Sequence, residues 1–471
     1  MNTFLKIFII LNTILVIFMA FYEIKNFKRF IFWFFIIYIF SIFGFLTYIV
    51  FGNALKFKAK QKLIIKQLKT KNYLKKIDYL KNNDTNLTNS IYKFTNKNFG
   101  SKAYTNNYIK TFLNGQDFLL DLIKEIKKAK YFINMEFYIF SDDETGKIIA
   151  NELIIKSKQG VVVNIVYDAF GSKKTSNKFW EKLKDANINV YPFFPSPIKR
   201  EFFNFKVNYR NHRKIVIIDG QLAYTGGINL RNDHMGKSKH LKPWRDTQIK
   251  IIGSAIYPIE NIFINDYLIS SKQDFNEEQI SFYFPKISNK NNITLQVLNS
   301  GPEKEKPAIY ETYLNIINSC KKYLIIETPY FIVKSEMINA IKNAMLKGVN
   351  VKIIIPKKGD KKMVYGATLY HLKQLLNAGA KIYLYPNFIH SKVLITENVA
   401  SIGTCNFDNR SFFLNFENTC LCYDKKFIFK QLSFIKNDIK NSVTLTSNKY
   451  KRLKAKNIFV ILFYKIISKL L

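Results

Sequence analysis

Five histidines occur in this chain of 471 residues, and two of them open the same pattern. Each is followed two positions later by a lysine, then by four residues and an acid, then by a turn holding glycine and an asparagine. The first copy, HRKIVIIDGQLAYTGGIN, supplies His212, Lys214, Asp219, Gly226 and Asn229. The second, HSKVLITENVASIGTCN, supplies His390, Lys392, Glu397, Gly403 and Asn406. Residues two apart on a strand share a face, so each imidazole is expected beside its own ammonium. Two such pairs meeting at a pseudo-two-fold axis would suit a phosphate. Lysine and asparagine donors would hold its oxygens, one imidazole would attack phosphorus, and the other would protonate the leaving oxygen. That chemistry calls for no metal and no cofactor, because its cations are side chains. One copy alone could be a solvated strand; two in register argue against that.

The elements around the two copies repeat as well. Helical periodicity is expected over Phe118 to Ala129, Gly146 to Lys158 and Lys174 to Ala186, with strands over Tyr131 to Phe140, Val161 to Asp168 and Asn189 to Phe194. The series recurs as helices over Ala308 to Cys320, Met337 to Lys347 and Thr368 to Ala378, with strands over Tyr323 to Glu327, Val349 to Pro356 and Lys381 to Tyr385. Such alternation predicts an α/β fold with helices on the faces of its sheet, and the repeat implies a duplicated domain, each copy ending in one signature; if the copies pack about a pseudo-two-fold axis, they form a pseudo-dimer of α-β-α domains.

The ends of the chain are of another kind. Phe30 to Phe51 is an uncharged apolar run of 22 residues, about 33 Å as a helix against a hydrocarbon core of about 30 Å. A shorter run, Ile7 to Tyr22, precedes it, and only seven residues separate the two, which predicts a transmembrane helical hairpin rather than a cleaved signal. Three basic residues lie in the link (Lys25, Lys28, Arg29) and seven lie between Gly52 and Lys71, which places the body on the cytoplasmic side. The C-terminal NIFVILFYKIISKLL is too short and too charged to span, and reads as an interfacial or a core-packing helix. The boundaries expected are an anchor at 1–55, a basic linker at 56–107, domains at 108–290 and 291–456, and a terminal helix at 457–471.

The formal charge of +39 calls for an acidic partner. Of 73 basic residues 65 are lysine and only eight arginine. A nucleic-acid binder would favour arginine for bidentate contacts, so membrane-surface attraction is the better reading. Aromatic residues at 16% and hydrophobic residues at 48% exclude wholesale disorder, and four cysteines exclude a disulfide scaffold.

The two signatures resemble the paired HKD motifs of the phospholipase D superfamily. From about residue 30 onward the chain resembles the bacterial cardiolipin synthases, through NYRNHRKIVIIDG, TGGINL, PWRDTQIKIIG, NSGPE, ETPYF, KGVNVKIIIP and GTCNFDNRSFFLNFE. The resemblance implies that His212 is a nucleophile forming a phosphatidyl-histidine, and that His390 is the general acid and then the general base. It implies that Lys214, Lys392, Asn229 and Asn406 hold phosphoryl oxygens. In that family the motif acid supports the loop through ion pairing, which implies that role for Asp219 and, if the second acid is structural too, for Glu397 in its place. By motif position Asp246 in PWRD would orient His212, and Glu417 in FLNFEN would orient His390. The implied reaction joins two phosphatidylglycerol molecules into cardiolipin and releases glycerol, at a membrane rich in anionic lipid and without nucleic acid. Water as acceptor would instead make a phospholipase D, and another alcohol a different phosphatidyltransferase. A nuclease carrying the same motifs would suit the charge but not the apolar spans.

Two departures from that pattern stand out. Glu397 replaces the usual aspartate, and the step from Glu397 to Gly403 is one residue shorter than that from Asp219 to Gly226. Were both to disable the site, the chain would be a structural membrane protein. Among the remaining candidates, His234 and His240 in a lysine-rich loop are expected in solvent, with a lipid-headgroup role as the alternative, and His371 on a helix is expected at the surface. Cys320 and Cys405 are expected in the core, and Cys420 and Cys422 form a C-x-C with no partner pair for zinc.

Overall fold

The computed structural model describes residues 3–23, 27–51, 89–194, 209–237, 243–287, 291–459 and 461. Two apolar helices open the chain, α1 (Thr3–Glu23) and α2 (Phe27–Phe51). They pack on each other, with Met19 of α1 buried among Trp33, Ile37 and Tyr48 of α2 and with Phe18 edge-on to Phe45 at 5.5 Å. Ser41 (φ 48°, ψ −120°) interrupts α2. Phe30–Tyr48 is long and apolar enough to cross a membrane, whereas the apolar part of α1, Lys6–Phe21, is shorter.

The strands of the first half are β1 (Ala103–Phe112), β2 (Phe132–Phe137), β3 (Val162–Asp168), β4 (Asn189–Phe193), β5 (Arg210–Asn211), β6 (Lys214–Ile218), β7 (Leu222–Gly226), β8 (Trp244–Arg245) and β9 (Gln248–Ile252). Those of the second are β10 (Ile293–Ser300), β11 (Tyr323–Glu327), β12 (Phe331–Ile332), β13 (Asn350–Pro356), β14 (Lys381–Tyr385), β15 (Phe388–Ile389), β16 (Val393–Thr396), β17 (Ala400–Gly403), β18 (Phe407–Asp408), β19 (Asn415–Cys422) and β20 (Val443–Thr444). One 16-stranded sheet runs through both halves. Outward from its centre the first half reads β1, β9, β7, β6, β2, β3, β4, and the second reads β10, β19, β17, β16, β11, β13, β14. The antiparallel pair β1–β10, with Ala103 opposite Gln296, lies at the pseudo-two-fold axis.

The outer strands β2, β3 and β4, like β11, β13 and β14, are parallel and need crossover helices. Their composition follows from burial on both faces: β3 is VVNIVYD and β13 is NVKIIIP. Helices Gly115–Lys128, Glu144–Lys158 and Asn177–Asp185 cover one face of the first half through Phe118, Leu122, Leu153 and Trp180. Helices Ala308–Ser319, Ser335–Leu346 and Lys362–Asn377 do the same in the second. The opposite face of both halves shares one core, into which helices Ile256–Ser271 and Lys425–Lys440 pack. Side-chain caps fix where the crossover helices begin: Asn114, Asp143 and Ser176 each accept from a backbone N–H three residues on.

The folded body begins upstream of the expected boundary at 108. Helix Ser90–Phe99 and the whole of β1 lie within the stretch expected as linker or across its end, and Thr95 at the base of that helix accepts from Gln296 of β10 at 2.6 Å. Residues 52–88, the loop 238–242 with His240, and nearly all of the terminal segment expected as an interfacial helix lie outside the described residues. All four cysteines are buried and free. His371, expected at the surface, is buried on its helix because that helix packs across the second-half core.

Candidate active site

The two signatures meet at the pseudo-two-fold axis. Neither histidine lies within a regular strand, as the spacing predicts; each sits in the break just before one. His212 lies between β5 and β6, and His390 between β15 and β16. At that break the chain leaves its own half and pairs with the other. β5 runs parallel to β19, and the His212 N–H donates to the Phe416 carbonyl at 3.0 Å. β15 runs parallel to β8, and the His390 N–H donates to the Arg245 carbonyl at 2.7 Å.

This exchange corrects the expected pairing of histidines with acids. His212 Nδ1 lies 2.9 and 3.1 Å from the two oxygens of Glu417, and His390 Nδ1 lies 2.7 Å from Asp246 Oδ2. Each acid orients the imidazole of the opposite half. The cause is strand order. Within a half, β7 separates the motif strand β6 from the acid-bearing edge of β9, and β17 likewise separates β16 from β19. Across the axis, the residues before each histidine lie directly alongside the acid. Asp246 and Glu417 occupy equivalent positions, two residues before Gln248 and Thr419, which pair with Gly226 and Gly403.

Both acids, both histidines and both lysines are buried. Burial, opposed in part by Glu417 and reinforced by Lys214, pulls the His212 imidazole down to about 4. Burial and the Lys392 charge hold His390 well below its usual range. Lys214 is lowered to about 7 and Lys392 to about 8, in each case by burial first. Burial alone would raise Asp246, but Lys392 and His390 outweigh it and keep the carboxyl ionised. Glu417 is held below its usual value in the same way by His212. At neutral pH both imidazoles are thus neutral. A carboxylate accepting from Nδ1–H leaves Nε2 with a free lone pair, which is the form a nucleophile or general base requires.

The lysines reach back to their own motifs: Lys214 Nζ donates to the His212 carbonyl at 2.6 Å, and Lys392 Nζ donates to the His390 carbonyl and lies 2.8 Å from His390 Nδ1. Asn229 is engaged already, its Oδ1 accepting from Ile139 N at 3.1 Å and its Nδ2 lying 3.1 Å from His234 Nε2. Asn406 is buried with an unpaired amide oxygen. The motif acids stand elsewhere. Roughly 20 Å of extended chain separates each from its histidine. Asp219 accepts from the backbone N–H groups of Lys130, Tyr131 and Phe132 at 2.8, 2.7 and 2.9 Å, and Glu397 from that of Lys321 at 2.7 Å. They fasten the motif hairpin to the loop before β2 or β11 by hydrogen bonds to backbone rather than by ion pairing. The missing residue of the second signature is absorbed there too. Ile218 pairs with Leu222 across a three-residue loop, whereas Thr396 N donates to Val399 O across a two-residue one. The departure therefore leaves the histidines untouched.

Several site residues carry no signal in the signatures. Thr404 Oγ1 donates to Glu417 Oε2 at 2.5 Å. Its counterpart is Gly227, where any Cβ would collide with Asp246 Oδ1. His234, expected in solvent, is buried 5.1 Å from the His390 ring and 4.2 Å from that of Trp244, because the indole folds its loop inward. His234, Asp246 and His390 bring one ligand atom each within 4.8 Å of one another, a set that a transition metal could use in competition with the Lys392 ammonium.

Comparison with known proteins shows the family to which the chain belongs. The chain matches the family described as cardiolipin synthase, phospholipase D-like domain, over residues 122–240 and 313–438, one segment in each half. It belongs to that family. It is 35% identical over 460 residues to the major cardiolipin synthase ClsA of Bacillus subtilis (strain 168), covering 95% of this chain and 94% of the relative. It is 36% identical over 457 residues to the cardiolipin synthase of Staphylococcus aureus (strain Mu50 / ATCC 700699), covering 94% and 91%. The crystal structure of the phosphatidylserine synthase of Haemophilus influenzae Rd KW20 has the same fold, with a TM-score of 0.59 at 18% identity over 77% of this chain and 93% of that one.

Proposed function

We propose that this member of the family is itself a cardiolipin synthase, transferring the phosphatidyl group of one phosphatidylglycerol to another with release of glycerol. The observation that supports it most is the crossed pair of hydrogen bonds, His212–Glu417 and His390–Asp246, within one buried site. His212 Nε2 attacks phosphorus as the P–O bond to glycerol breaks, while His390, protonated on Nε2 once the anionic phosphodiester is bound beside it, delivers that proton to the departing glycerol oxygen. The terminal hydroxyl of a second phosphatidylglycerol then gives its proton to His390 and attacks the phosphatidyl-histidine, and His212 departs with its lone pair. Lys214 and Lys392 stabilise the charge that builds on the nonbridging oxygens. Asn406 joins them, and Asn229 acts through its own anchored amide.

The helices α1 and α2 form a membrane hairpin in this reading, with the body on the cytoplasmic face and surface lysines drawn to anionic lipid, at about 1 kcal/mol for each one near the surface. Phosphatidylglycerol and anionic membrane lipid are the partners. The test is lipid analysis of purified protein in vesicles of labelled phosphatidylglycerol beside a His212→Ala variant. Equal yields of cardiolipin and glycerol, lost in the variant, are expected. Phosphatidic acid as the sole product would establish water as the acceptor instead.

A further inference from the structure

Beneath each imidazole lies a deeper layer of buried acids around an arginine, and the two halves build it differently. In the first half Glu136 on β2 and Asp266 on helix Ile256–Ser271 are buried beside Arg213. In the second, Glu327 on β11 and Asp438 on helix Lys425–Lys440 are buried beside Arg245. The acids are equivalent in register. Glu136 lies opposite Ile215 and Glu327 opposite Val393, each the residue after the motif lysine. The Asp266 and Asp438 carbonyls each accept from a serine hydroxyl four residues on, at 2.8 and 2.6 Å.

The arginines are not equivalent. Arg213 is the middle residue of its His-x-Lys, where the second motif has Ser391. Arg245 precedes Asp246, and its counterpart before Glu417 is Phe416. These four positions face one another in two pairs. The Arg213 guanidinium lies 5.3 Å over the Phe416 ring, and Arg245 Nη1 donates to Ser391 Oγ at 3.0 Å. Each layer thus holds one arginine, taken from opposite members of the same facing pair. Arg245 does more than balance charge. It donates to Asp438 through Nε and Nη2, the latter at 2.7 Å, to Thr247 Oγ1 at 2.9 Å, and to the Asp246 carbonyl. Its own carbonyl accepts from His390 N at 2.7 Å.

We infer that Arg245 is the positioning residue for His390, fixing the Asp246–His390 pair across the axis, and that positions 245 and 391 are exchangeable hosts for that arginine. Removing it leaves two buried acids without the cation between them and frees the backbone on which both Asp246 and His390 are hung. Moving it to position 391, with phenylalanine at 245, rebuilds the arrangement found under His212. The inference rests on the acid–base role proposed for His390, so a His390→Ala control accompanies it.

The experiment measures kcat and KM for cardiolipin formation in phosphatidylglycerol vesicles, with thermal melting to establish folding. Arg245→Phe should lower kcat by about 10- to 100-fold, as loss of a group orienting a reactive ligand does, with KM within about twofold. The double variant Arg245→Phe/Ser391→Arg should recover at least about tenfold of that loss. A wild-type kcat in Arg245→Phe, or a double variant no better than the single, overturns the inference. Should Arg245→Phe fail to fold, the double variant decides: folded and active supports the exchange, and unfolded or inactive refutes it. Turnover retained by His390→Ala would overturn the role of His390 itself, whatever the arginine variants do.

Discussion

The two halves of the molecule agree where they meet and diverge away from the axis. Histidine, lysine and orienting acid superpose by register in both, and each acid crosses to the other half's imidazole. The surroundings differ. His390 lies among Trp244, Phe388 and His234, with ring centroids at 5.3, 5.9 and 5.1 Å. His212 meets the edge of Tyr138 at 4.9 Å and the Thr404 carbonyl at 3.2 Å. The motif therefore supplies two equal imidazoles, and the environment makes them unequal. That is the condition for one to act as nucleophile and the other to shuttle protons.

The largest effect should come from the histidines. His212→Ala and His390→Ala should each lower turnover by about 10⁴-fold or more, as loss of a nucleophile or its partner does. They should part company in covalent labelling. With His212 as nucleophile, His390→Ala retains slow formation of an acid-labile phosphatidyl-protein, and His212→Ala gives none. Labelling of His212→Ala but not of His390→Ala would exchange the two roles. Next come the acids. Glu417→Gln should impair the step at His212 and Asp246→Asn that at His390, each by about 10- to 100-fold if only orientation is lost. Because the pairing is crossed, Glu417→Gln should lower the labelling rate, and Asp246→Asn should slow transfer to the second lipid. The reverse outcome would point to pairing within each half.

Much of this was legible in the sequence. The strands Tyr323–Glu327 and Lys381–Tyr385 lie where the sequence predicts them; the first is a nearly continuous apolar run because it is buried on both faces, and the second follows the alternation of a strand with one face partly open. Helix Ile256–Ser271 was not legible, since eleven of its residues are buried and no polar face sets a period. The crossing of the acids could not be read either. It depends on the order of strands in the sheet and on short parallel bridges between halves, neither of which leaves a local mark. His234 misleads for a related reason: its lysine-rich neighbours suggest solvent, while a tryptophan ten residues on closes over it.

The lysines sharpen the comparison through pH. Both are cations needed by an anionic phosphodiester, and burial lowers Lys214 to about 7 and Lys392 to about 8. A base so depressed loses its proton as pH rises through that range, so kcat/KM should fall between pH 7 and 8. Bound phosphate favours the charged ammonium and raises both values, so kcat should hold to higher pH than kcat/KM. A kcat/KM that stays flat from about pH 6.5 to 9 would show that the lysines keep their charge in the free enzyme.

The smallest effects belong to the motif acids, and they differ between halves in stability rather than rate. Asp219 satisfies three backbone N–H groups in a turn where both Asp219 and Gly220 have positive φ, and Glu397 satisfies one. Leaving a donor without its partner costs about 1–3 kcal/mol when buried and less where water can replace it. These N–H groups are at most half-buried, so Asp219→Ala should cost about 2 kcal/mol and Glu397→Ala about 1 kcal/mol or less. Both should keep kcat within about threefold, read on the folded fraction after chemical denaturation has given the stability difference. Glu397→Asp, one methylene shorter, should withdraw the carboxylate from Lys321 N and cost no more stability than Glu397→Ala, with kcat unchanged. A large loss of kcat in folded Glu397→Ala would mean that the far end of β16 is coupled to His390. The hairpin difference between the halves would then be part of how the two imidazoles are set apart.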